Sequence, residues 1–151
     1  MPVIRWSSLS VLVVFAVACS DGIGAPPAGF AHAAATFACG PADGPAVAIY
    51  LSPIPVESPQ PSAPVVRIFI TQAVEQIGGK AWPVGGSSET NASFQSPGNT
   101  FENATTGYVV TTSVSADKTI DGTVDLTFPK AGHIEGGFHA RWISQTGPLC
   151  G

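Results

Sequence analysis

The stretch HIEGGFHAR, residues 133–141, gathers two imidazoles, a carboxylate and a guanidinium. Histidine and glutamate are the side chains that bind zinc or move protons near neutral pH, so a metal site or an acid/base pair is the first chemistry to test. In an extended strand His133, Glu135, His139 and Arg141 all project from one face, because side chains alternate with a period of two. Distance argues against one ion held by both histidines. They stand six residues apart, about 20 Å at ~3.3 Å per residue, whereas zinc ligands sit within about 2.2 Å of the metal. His133 with Glu135, or His139 with a group on another strand, stays open, but no metal ligand set is assigned. Asp121 and Asp125 join the same polar face from the preceding strand. Set among threonines, these carboxylates read as a solvated face with surface ion pairs. No catalytic residue is assigned. Ser87 and Ser88 follow two glycines without forming a Gly-x-Ser-x-Gly elbow, and no phosphate-cradling loop, Cys-x-x-Cys pair or metalloprotease histidine motif occurs, so no cofactor is expected.

The elements that carry this face are legible from hydrophobic alternation. Between 107 and 143 the even positions Val110, Val114, Ile120, Val124, Leu126, Phe128, Ile134, Phe138 and Trp142 hold the bulky apolar side chains, while the odd positions are mostly polar. A period of two predicts three strands, 107–115, 119–128 and 134–143, each with one buried and one wet face. A turn over Pro129–Gly132 that pairs Pro129 with His133 would set Val124 opposite Phe138, Ile120 opposite Trp142, Asp121 beside Arg141 and Thr123 beside His139. Slipping by one step would place Asp125 against Glu135, a like-charge contact that cross-strand pairing disfavours. Gly122, Gly136 and Gly137 mark bulges, bends or close backbone approaches.

Further strands are expected at 46–51, 65–71 and 80–84, with a weak one at 93–95 and one helical turn around Val74 and Ile77. The segment 52–64, with its five prolines, reads as an exposed loop or edge crossing. In 151 residues with 44% apolar and 11% charged content, 17 glycines and 14 prolines favour many short strands. The expected fold is all-β, a small antiparallel barrel-like or sandwich domain of six to eight strands over 39–151. Six scattered Lys and Arg in a chain of net charge −4 provide no footprint for a phosphate backbone, so nucleic acid is not an expected partner.

At the other end of the chain, Arg5 precedes an apolar segment from Leu9 to Ala18 interrupted only by Ser10, the pattern of an export signal. The run is too short for the ~20 residues of a spanning helix. It ends in Ala16-Val17-Ala18-Cys19, which resembles the lipobox of bacterial lipoproteins. The resemblance covers only 1–19 and implies that 1–18 is removed, that Cys19 becomes an acylated first residue, and that the protein is held on a membrane in the cell envelope. Ala16-Val17-Ala18 also satisfies the pattern of ordinary secretory cleavage at the same bond, which would give a soluble exported or periplasmic protein. With Cys19 acylated, Cys39 and Cys150 remain as an even pair and are expected to form a disulfide across the domain. Residues 19–38, rich in Ala, Gly and Pro, read as a flexible tether, with a short helix at 31–38 as the alternative. The functional expectation is an anchored binding or interaction module, meeting another envelope protein or a small ligand. A carrier with an apolar barrel cavity comes second and a hydrolase third.

Overall fold

The computed structural model describes residues 24–86, 89–144 and 150. The expected signal segment 1–18, Cys19 and Ser87–Ser88 lie outside the described residues. The protein is all-β, with nine strands in one curled, half-barrel sheet. They are β1 (His32–Cys39), β2 (Pro45–Ser52), β3 (Val65–Ile70), β4 (Lys80–Val84), β5 (Thr90–Gln95), β6 (Phe101–Asn103), β7 (Thr106–Val114), β8 (Ile120–Phe128) and β9 (Gly132–Trp142). Their spatial order is β4-β7-β8-β9-β1-β2-β3-β5-β6. One curled sheet corresponds to the barrel-like form of the expectation and not to a sandwich. The helical turn before Gly78-Gly79 is present as a single tight turn at Val74–Gln76.

Several features depart from what the sequence led one to expect. Nine strands form where six to eight were expected, because β1 and β6 add to the count. The tether 19–38 ends much earlier than residue 38, and the alternative helix at 31–38 is absent: His32–Cys39 is a strand near the middle of the sheet. β1 pairs antiparallel with β2 over its whole length and parallel with β9 through Ala33–Ala140, Ala34–Arg141 and Ala35–Trp142. That parallel seam is the one exception in an otherwise antiparallel ladder. Lastly, the proline-rich loop after β2 is not simply exposed, since Val56 is buried and the Tyr50 hydroxyl donates to the Pro59 carbonyl at 2.9 Å.

Alternation explains most of the packing. Along β8, Ile120, Gly122, Val124, Leu126 and Phe128 face inward while Asp125 and Thr127 face water. They meet Val47, Ile49 and Leu51 of β2, Val66, Ile68 and Ile70 of β3, and Trp82 of β4 in the main core. β2 is buried on both faces after its first residue. Its other face places Ala48 and Tyr50 with Ala34, Val56 and Val65 in a smaller cluster under the 53–64 loop. Burial raises the ionisation of the Tyr50 phenol above its ordinary 10.0, while Arg67, 5.4 Å from the ring centre, pulls it the other way. In β7 the parity is opposite to the expectation: Val109 and Thr111 are buried, and Tyr108 and Val110 are exposed. An irregularity between Thr111 and Ser113 shifts the register there, and such a bulge reverses which residues face inward. The buried Thr111 hydroxyl donates to the Ile77 carbonyl and accepts from the Trp82 indole at 3.0 Å, so its polar group is satisfied.

The disulfide is present. Cys39, at the end of β1, is bonded to Cys150, 111 residues later, with Cα atoms 5.6 Å apart.

Candidate functional site

The polar face of β8 and β9 is built as expected in composition but not in register. The strands pair Ile120 with Ala140, Asp121 with His139, Gly122 with Phe138, Val124 with Gly136, Asp125 with Glu135 and Phe128 with Gly132. This is the one-step slip away from the Pro129–His133 pairing, so Asp121 lies beside His139 instead of Arg141, and Thr123 lies opposite Gly137 instead of His139. Steric fit outweighs the like-charge contact. A Cβ on Gly122 would come within 2.2 Å of the Val110 carbonyl oxygen and 2.6 Å of the Phe138 ring, so the ring lies where only glycine leaves room. The turn is further held by Glu102 of β6, whose carboxylate accepts from the backbone N–H groups of Lys130 and Ala131, both at 2.8 Å. The Asp125–Glu135 contact itself is bridged. His133 Nε2 lies 3.2 Å from Glu135 and its Nδ1 lies 3.8 Å from Asp125.

At the other end of the face, His139 Nδ1 lies 2.6 Å from Asp121 Oδ1, and Asp121 Oδ2 accepts from the Ser113 hydroxyl at 3.0 Å. An ionised carboxylate only accepts, so this hydrogen bond requires a proton on Nδ1. The same orientation of a histidine by a carboxylate serves acid/base catalysis elsewhere. Here it opens onto a groove of about 310 Å³ between segment 24–33 and residues 137–141 of β9. Phe30 supplies apolar wall, while His32, His139 and Arg141 supply the polar groups; Phe138 lies behind them in the core. No serine, threonine or cysteine is among the described residues lining it, so none of the described lining side chains is a nucleophile of those types.

Segment 24–31 makes one wall because it is pinned to β9. The Gly137 N–H donates to the Ala25 carbonyl at 2.7 Å, and a Cβ on Gly136 would fall 2.5 Å from the Pro27 nitrogen. The expected flexible tether is therefore a docked strap from Ala25 onward. Parallel pairing of Ala33 with Ala140 then brings His32 alongside His139 in register. Among the described residues no hydrogen bond or ion pair engages the side chain of Arg141 or His32. Of the residues singled out in the sequence, His139 and Arg141 line the groove and Asp121 orients His139. Asp125 and Glu135 belong to the separate cluster around His133. His32 was missed because it falls within a stretch that reads as linker. Among the described residues no group of three or more His, Cys, Asp or Glu is placed to hold a metal ion.

Comparison with protein-family models, curated proteins and solved structures found no match.

Proposed function

We propose that this chain is an exported bacterial lipoprotein, anchored through acylated Cys19, whose β domain is a binding module of the cell envelope. The observation that carries the reading is the Cys39–Cys150 bond, since disulfides persist in oxidising compartments and are rare in cytosolic proteins. It also accounts for two of the three sulfurs and leaves Cys19 as the odd one, in the position where the Ala16-Val17-Ala18-Cys19 box implies acylation. The binding part of the reading rests on the groove beside β9, which has the size of a small-ligand site and an unpartnered guanidinium at its edge. Inside the half-barrel, Ile49, Leu51, Ile68, Trp82, Leu126 and Phe128 fill the space that a carrier would leave open for cargo. The filled interior favours the surface groove over the barrel interior as the binding surface of this reading.

The test is the intact mass of membrane-extracted protein with and without reductant. The expected result is a chain starting at Cys19 that carries diacyl or triacyl mass and gains two hydrogens on reduction. A chain starting at residue 19 without added mass identifies the soluble secreted form. A chain still starting at Met1 overturns export altogether.

A further inference from the structure

We infer that the groove lined by His32, His139 and Arg141 is a phosphate site that takes the headgroup of a phospholipid in the membrane to which the chain is anchored; this rests on the anchoring reading above. Reach supports it first. Gly24 lines the groove and stands five residues after Cys19, so a fully extended connection spans at most about 18 Å. An acylated Cys19 therefore keeps this groove within that distance of the lipid headgroups.

Charge complementarity supports it second. The described domain is acidic, with Asp121, Asp125 and Glu135 on the neighbouring face, yet the one fixed charge among the described residues lining the groove is the Arg141 guanidinium. Arg141 has no carboxylate or carbonyl partner among the described residues. Guanidinium groups present parallel N–H donors that match the oxygens of a phosphate. Asp121 holds the His139 ring by Nδ1. The half-buried Phe30 gives an apolar wall suited to the glycerol portion of the same lipid. Tethering also relaxes the affinity needed, because an anchored site meets its ligand at an effective concentration in the millimolar range.

The test uses the acylated full chain and the reaction of arginine with phenylglyoxal, followed by peptide mass. Arg67, stacked near Tyr50, is the internal reference. The protein is placed in phosphatidylglycerol vesicles, in vesicles of a phosphate-free galactolipid, and in neutral maltoside micelles with and without inorganic phosphate. The expected result is Arg141 modified about five-fold more slowly on phosphatidylglycerol than on galactolipid, the factor set by roughly 1 kcal/mol per arginine at an anionic lipid surface, with Arg67 unchanged. Equal protection on both vesicle types means occlusion by any surface and overturns the site. Equal protection by inorganic phosphate in micelles assigns the groove to a free anion and overturns the lipid source. The intact mass of the same sample separates the two layers: an unacylated Cys19 overturns anchoring, whereas an acylated chain with unprotected Arg141 overturns only the headgroup site.

Discussion

At the scale of single residues, two positions decide the geometry of the polar face. Gly122 permits the Phe138 ring to lie across β8, and its absent Cβ would otherwise meet the Val110 carbonyl at 2.2 Å, a backbone atom that cannot swing aside. Gly122→Ala is expected to destabilise the domain by about 3 kcal/mol, at the upper end of overpacking costs, and to lower the denaturant midpoint without changing the slope. His133 does a different job, standing between Asp125 and Glu135 where the register forces two carboxylates together. His133→Ala leaves that repulsion unrelieved and is expected to cost up to about 1 kcal/mol. In a Glu135→Gln background the same substitution should lose most of its effect. A double-mutant cycle by urea unfolding checks this, and equal costs in both backgrounds would remove the bridging role.

At the scale of elements, β1 carries the largest consequence, because it sits between β2 and β9 in the sheet. A chain beginning at Cys39 matches the apparent start of the domain in the sequence, yet it lacks the strand that joins the two halves. It is expected to be unfolded by circular dichroism, whereas a chain beginning at Gly24 keeps β1 and its strap and folds. β8 and β9 were legible because each has one wet and one buried face, and their bounds fall close to those the alternation gives. β4 was bounded correctly at Lys80–Val84 by its flanking glycines and following loop. β1 was not legible, because Ala34 and Ala35 are buried on opposite faces, so HAAATFAC shows no alternation and its small side chains resemble a linker. The register of the last hairpin was misread because a charge rule worth tenths of a kcal/mol was weighed without the steric term at Gly122. The β7 faces were misread because a bulge leaves no mark in a run of Val and Thr. Half of the groove was therefore visible in His139 and Arg141, and half was hidden with His32.

At the scale of the whole molecule, the bond between Cys39 and Cys150 ties the end of the first strand to the C-terminal end of the described chain. Closing 111 residues of separation removes loop entropy from the unfolded chain worth about 4–5 kcal/mol in the chain-entropy model. Cys39→Ala with Cys150→Ala is expected to lower the unfolding free energy by a large part of that amount while leaving the strand content intact. Thermal and urea melts of the paired variant check it, and an unchanged midpoint would show that the seam between β1 and β9 suffices alone. That seam has its own implication for how the molecule comes into being. The strand that flanks β1 on one side, β9, is the last of the described strands in chain order, so β1 gains its second neighbour only when residues from the opposite end of the described chain are in place.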